Sequence, residues 1–235
     1  MSERDPHLAG ISAILLFGSR ARGDNERGSD TDLLLVSPPG EPRHRSIGHL
    51  SMFFYPLLKL LADAGDGDLF VCHIAREAKP IFDPANHLEQ LRASFKVRES
   101  YGREISLASD LGWFIERHAD ELTTAIIAKR IVWCVRTILI ARTAERGAPA
   151  FAPAALAATT SSSAGAELLF TSHQRRADVL MRRRFRQFLV DEGYGPPLPS
   201  EAAPRDYNEH FKRTKNSVAL QKVLQGSHVA EQHYG

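Results

Sequence analysis

Residues 15–36 read LLFGSRARGDNERGSDTDLLLV, and the fold is decided by how this stretch is divided. Its ends are short and apolar. Residues 11–17 form a compact run ending at Gly18-Ser19, and residues 30–36 form another closed by Ser37-Pro38-Pro39-Gly40, so both have the length of buried strands. The polar, glycine-bearing residues 20–29 lie between them. Gly18 has no Cβ and lets the backbone come close to a phosphate. Ser19 supplies a hydroxyl where Arg20-Ala21-Arg22 is expected to begin a short helix, whose free amides would attract a triphosphate. Arg20 and Arg22 are candidates for charge-assisted bonds to the same anion.

Side chains two apart in a strand project from one face, so Asp30 and Asp32 are expected to stand side by side. At about 4 Å their repulsion is on the order of 1 kcal/mol in water and roughly 4 kcal/mol near a protein surface, so a sheet that holds them together needs a counter-ion. Hard oxygen ligands of this kind suit Mg²⁺, which keeps several waters and readily binds substrate phosphates. Further along, residues 68–74, DLFVCHI, are read as a third strand. Asp68 would then add a third carboxylate from a neighbouring strand, with Asp66 between glycines held in reserve as a turn residue. Three carboxylates would hold two metal ions roughly 3.5–4 Å apart, the arrangement for an in-line displacement at phosphorus.

Working outward, Ile47, Leu50, Phe54, Leu57, Leu58 and Leu61 recur at three- and four-residue intervals, which predicts an amphipathic helix over residues 46–64, stopped by Gly65-Asp66-Gly67. The first hundred residues thus read as an α/β layer with a small mixed sheet. Beyond Ser100 no strand pattern returns. Ile105, Ala108, Leu111, Ile115, Ala119 and Leu122 keep helical spacing, and residues 129–142 continue as a strongly apolar helix. Residues 147–165, rich in alanine, proline, serine and threonine, suit a flexible connection. Helices are expected again over residues 167–191 and 207–224, with a frayed end over residues 228–235. Two domains follow: residues 1–98 carrying the site and residues 99–235 forming an all-α helical bundle.

Gly18-Ser19, a spacer, then Asp30-Thr31-Asp32 flanked by apolar residues resembles the signature of the DNA polymerase beta nucleotidyltransferase superfamily. Its small bacterial members, the aminoglycoside nucleotidyltransferases and the minimal nucleotidyltransferases of toxin–antitoxin pairs, are nearest in size and layout, and they often carry a helical bundle behind the core. The resemblance covers about the first hundred residues. It implies that Gly18 and Ser19 hold the nucleotide phosphates, that Asp30 and Asp32 hold the metals, and that Asp68 is the third ligand or the base. The activity implied is transfer of a nucleoside monophosphate, AMP from ATP or another NTP, to a hydroxyl of an unidentified acceptor, be it a small molecule, a protein or RNA. A homodimer is compatible with this layout. The alternative is an antitoxin-like or regulatory module that grips a partner protein through its helices, with or without that activity.

Several weaker candidates lie in the second half. Glu104 or Glu116 is a conceivable base by analogy with the aminoglycoside enzymes, although each reads more simply as a surface charge. Lys129 and Arg130 are candidates to reach phosphates. Arg205 and His210 only superficially match the arginine–histidine hallmark of the helical ribonuclease domain that accompanies some minimal nucleotidyltransferases. Arg175, Arg182 and Arg186, with Arg176 and Arg183 adjoining, form a basic helix face opposite Met181, Phe185 and Phe188, which reads either as a solvated face or as a surface for RNA or an acidic partner.

Composition narrows the function classes. Hydrophobic residues make up 43% and charged residues 25%, the balance of a globular chain, and a net charge of +2 argues against a polycation that coats nucleic acid. The only cysteines, Cys72 and Cys134, sit in apolar runs without metal or redox spacing and read as buried thiols. No histidine has metal-ligand spacing, His73 included. The polar first residues and the lack of any run near the roughly 20 apolar residues that span a bilayer point to a cytoplasmic protein with no membrane contact.

Overall fold

The computed structural model describes residues 10–171 and 176–220. The chain divides after Glu99 into two compact units.

In the first unit, strand β1 (Ala13–Phe17) buries Ala13, Leu15 and Phe17 while Ile14 and Leu16 are only half-buried, the period-two pattern of a sheet with one well-covered face. A single helical turn, α1 (Ser19–Arg22), leads into β2 (Thr31–Ser37), which pairs antiparallel with β1. A hairpin follows, β3 (Arg43–Ile47) and β4 (Leu50–Pro56), and β4 lies parallel to β2. Helix α2 (Leu57–Gly65), helix α3 (Leu69–Glu77), strand β5 (Lys79–Phe82) and helix α4 (His87–Ser94) complete the unit. The sheet order β3-β4-β2-β1-β5 is mixed, as expected, with parallel pairing only between β2 and β4. Leu15, Phe17, Leu34 and Val36 on the covered face pack with Leu60 and Ala64 of α2, Val71 and Ile74 of α3, and Leu88 and Leu91 of α4. Each of the larger of these side chains contributes about 1.5–3 kcal/mol through burial.

Two expectations are corrected here. The helix predicted over residues 46–64 is a strand hairpin as far as Pro56 and helical only from Leu57. Gly48 at φ 56° makes the turn between β3 and β4, and Gly48 inside the predicted helix was the available signal. Residues 68–74 are not a strand either. Val71, Cys72, Ile74 and Ala75 are the buried positions of α3, a helical face, and Asp68 is its N-cap.

The second unit is helical among its described residues. Helices α5 (Gly102–Arg117) and α6 (Thr124–Glu145) are long, followed by α7 (Pro153–Ala157), α8 (Ser163–Leu169), α9 (Val179–Asp191) and α10 (Pro204–Thr214). The connection predicted over residues 147–165 holds α7 and the start of α8, with Phe151 and Leu156 buried. Burying those two apolar side chains orders a segment whose small-residue composition suggested mobility. The helix expected over residues 167–191 is two helices, α8 and α9, and Arg175 falls outside the described residues. Of the last predicted helix, α10 is present and residues 217–220 are helical, while residues 221–235 lie outside the described set. Buried Glu192 closes the bundle, its carboxylate accepting from Arg142 and Thr160. Cys72 and Cys134 are free, buried thiols, and burial pushes the Cys72 thiol up to about 11. No helix among the described residues is long and apolar enough to cross a membrane.

Candidate active site

Strand pairing decides where the acidic pair stands. Phe17, the last residue of β1, pairs with Asp32 on one side, and Ser51 of β4 pairs with Asp32 on the other. The chain leaves β1 through Gly18 at φ 74° and ψ −155°, a conformation essentially restricted to glycine. A Cβ on Gly18 would lie 2.8 Å from Oδ2 of Asp32, so the backbone turn and the carboxylate are in direct approach. Ser19 opens α1, which is closed by Gly23 in the left-handed region, its N–H donating to the Ser19 carbonyl at 2.8 Å. Asp30 sits just ahead of β2, and its side chain is 57% exposed. His49, in the β3–β4 turn, approaches it with Nδ1 3.1 Å from Asp30 Oδ1, while the Thr31 N–H donates to the His49 carbonyl at 2.7 Å. His49 was missed because its place depends on a hairpin that had been read as helix.

The basic residues of the turn differ in availability. Arg20 is exposed, and its Nη2 donates to the Ser29 carbonyl at 3.0 Å, bracing the loop. Arg22 is 17% exposed, and its Nε donates to Asp24 at 3.0 and 3.2 Å while Nη1 donates to Glu77 of α3 at 2.5 Å. Glu77 also meets Nε2 of His73 at 2.8 Å. Burial pushes the Glu77 carboxyl up, but the bonds to His73 and Arg22 outweigh it and hold the group below its ordinary value. The Arg22 guanidinium is therefore engaged by protein carboxylates, unlike the phosphate ligand expected of it.

Asp68 opens a helix. Its Oδ1 accepts the N–H groups of Phe70 at 2.8 Å and Val71 at 3.0 Å, the work of a helix N-cap. Burial raises its pKa, with the two backbone bonds opposing. Asp68 acts electrostatically on Tyr55, which pairs with Val36. The strand expected to carry Asp68 is thus corrected: Asp68 caps a helix instead of standing on a strand. Among the described residues, no three histidine, cysteine or acidic side chains are gathered closely enough to hold a metal ion by themselves. Asp30 and Asp32 carry hard oxygen donors of the kind that Mg²⁺ takes. They do not make the three-carboxylate, two-ion arrangement.

Residues 1–113 match the family model of the nucleotidyltransferase domain. This part of the chain is a nucleotidyltransferase domain of the polymerase beta-like superfamily. The family match spans the entire sheet, both aspartates and the Gly18-Ser19 turn. Among solved structures, a nucleotidyltransferase-like protein from Exiguobacterium sibiricum is 14% identical, with 93% of this chain and 73% of that one covered at a TM-score of 0.32, a loose superposition. No curated protein matches.

Two of the helical candidates, Glu116 and His210, have partners within the second unit. Glu116 pairs with Arg186 at 3.0 Å, and Glu104 lies in the first turn of α5. Lys129 and Arg130 lie within α6, where burial lowers the pKa of Arg130. Arg205 is 89% exposed beside Asp206, whereas His210 bonds Asp110 at 2.6 Å and Arg213 at 3.1 Å. Five residues apart on α10, Arg205 and His210 point about 140° apart around the helix. In α9, Met181, Phe185 and Phe188 are buried.

Proposed function

We propose that the nucleotidyltransferase domain transfers a nucleoside monophosphate from a triphosphate to an acceptor hydroxyl, with ATP the first candidate donor. The observation that carries this reading is the approach of Asp32 Oδ2 to the Gly18 turn, since an acid against a bare backbone turn is suited to a cation shared with phosphate oxygens. The Ser19 hydroxyl and the turn amides orient the triphosphate, and Asp30 and Asp32 hold the cation that accompanies it. When bound, Mg²⁺ supplies neutralisation of charge on the phosphates. The acceptor oxygen attacks the α-phosphorus, the bond to the bridging oxygen of pyrophosphate breaks, and the hydroxyl proton leaves to solvent or a base. Arg20, exposed at the turn, is available to the departing pyrophosphate if it releases the Ser29 carbonyl.

The test is incubation with Mg²⁺, nucleotides labelled at the α-phosphate, and acceptor pools of aminoglycosides, tRNA and cell lysate. The expected outcome is label transfer with pyrophosphate release that Asp30→Asn abolishes. Transfer unaffected by that change would contradict the assignment of the site.

A further inference from the structure

The half-buried cluster behind the phosphate turn has no role in the reaction as written. Arg22 ends α1, Glu77 ends α3, and His73 lies one helical turn earlier on α3. Their side chains are 17%, 14% and 16% exposed, and Oε2 of Glu77 lies 2.5 Å from Arg22 Nη1 and 2.8 Å from His73 Nε2. The His73 ring in turn meets Phe17 edge-on, with centroids 5.4 Å apart. Phe17 and Arg22 bracket Gly18 and Ser19, so a single carboxylate is tied to the turn on both sides. The backbone reinforces this placement: after Glu77 the chain enters β5, where Lys79 pairs with Leu16 just before Phe17.

We infer that Glu77 is a positioning residue for the Gly18-Ser19 turn, fixing through Arg22 and His73 the separation between that turn and Asp32. This rests on the nucleotide-binding reading of the turn, but Glu77 itself touches no substrate. The physical ground is stiffness. Gly18 sits in a conformation that only glycine adopts readily, and α1 is a single turn closed by the bonds from Arg22 N–H to Gly18 O at 3.1 Å and from Gly23 and Asp24 N–H to Ser19 O at 2.8 and 3.1 Å. So short a helix has little stability of its own. A charge-assisted, largely buried bond to α3 gives it a rigid support.

The experiment compares wild type, Glu77→Gln and the double variant Arg22→Met/Glu77→Met in the full chain. It reads amide hydrogen exchange at Arg22, Gly23 and Asp24, the affinity for a non-hydrolysable ATP analogue with Mg²⁺, and Tm. In Glu77→Gln the three amides should exchange roughly tenfold faster with β1 and β2 unchanged, and the analogue should bind roughly tenfold more weakly. The double variant, which removes both members of the Arg22–Glu77 pair and leaves only the more exposed Asp24 carboxylate without its arginine, should regain most of the lost Tm but neither slow exchange nor tight binding. Wild-type exchange rates in Glu77→Gln would overturn the inference, as would recovery of exchange and affinity together in the double variant, because Glu77 would then only neutralise Arg22. Should Glu77→Gln fail to fold, the double variant decides by the same exchange readout. A wild-type protein that binds no nucleotide would count against the function proposed above, while the exchange result would still decide the role of Glu77.

Discussion

Residues 32–36, DLLLV, and residues 68–72, DLFVC, are nearly the same pattern, an aspartate before an apolar run, yet they fold and act differently. The first lies in β2, where Asp32 faces the Gly18 turn. The second opens α3, where Asp68 satisfies backbone N–H groups that the helix leaves without partners. What separates them is upstream. Asp32 follows a long polar loop that returns the chain beside β1, whereas Asp68 follows α2 and Gly67, whose φ of 68° reverses the chain directly into a new helix. An acidic residue at the head of an apolar run therefore carries no chemical meaning until its element is known.

The largest effect that distinguishes the two should be on transfer. Asp32→Asn is expected to lower α-phosphate label transfer about a thousandfold, equivalent to roughly 4 kcal/mol of barrier. Its Tm should change little, since the partly exposed carboxylate carries none of the core packing. Asp68→Asn should leave transfer within a few-fold of wild type. Equal losses in both variants would erase the distinction.

Gly18→Ala probes the same approach from the backbone side. A methyl at 2.8 Å from Asp32 Oδ2, in a glycine-only conformation, should cost about 1–3 kcal/mol in urea unfolding and weaken nucleotide binding as well. Retained stability and binding would mean that turn and carboxylate do not meet.

Smaller still is the cap. Asp68→Ala should destabilise the first unit by about 1 kcal/mol, with Asp68→Asn recovering most of it because an amide oxygen also accepts N–H bonds. Thermal melts would measure both.

The gentlest test is acidification. Glu77 is held below its ordinary value, so its contribution to stability is complete above the unfolded value near 4.3 and is lost as pH falls through the lower folded value. Asp68 is raised, so its contribution has the opposite slope and favours the folded state as pH falls through its folded value. Unfolding curves from pH 6 to 3 should show a shallower acid loss in Glu77→Gln than in wild type and a steeper one in Asp68→Asn.

The same contrast explains what could be read in advance. Strands β1 and β2 were legible because each is a short apolar run bounded by glycine or proline, and the Gly18-Ser19 to Asp30-Asp32 spacing joins one to the other. Residues 68–74 were not, because a short run that is apolar throughout has no periodicity to tell strand from helix. Residues 46–64 misled differently: Ile47, Leu50, Phe54 and Leu57 keep helical intervals by coincidence across β3, β4 and the start of α2. The Arg22–Glu77–His73 cluster was invisible since Arg22 lies 55 residues from Glu77 in sequence and meets it only through the packing of α3 against β1. His49 beside Asp30 was hidden by the misread hairpin.

The most direct measurement is calorimetric titration of a non-hydrolysable ATP analogue with Mg²⁺ into wild type, Asp32→Asn and Asp68→Asn. The account predicts saturable, magnesium-dependent binding in wild type and Asp68→Asn, and its loss in Asp32→Asn. Undiminished binding in Asp32→Asn, or loss confined to Asp68→Asn, would contradict it.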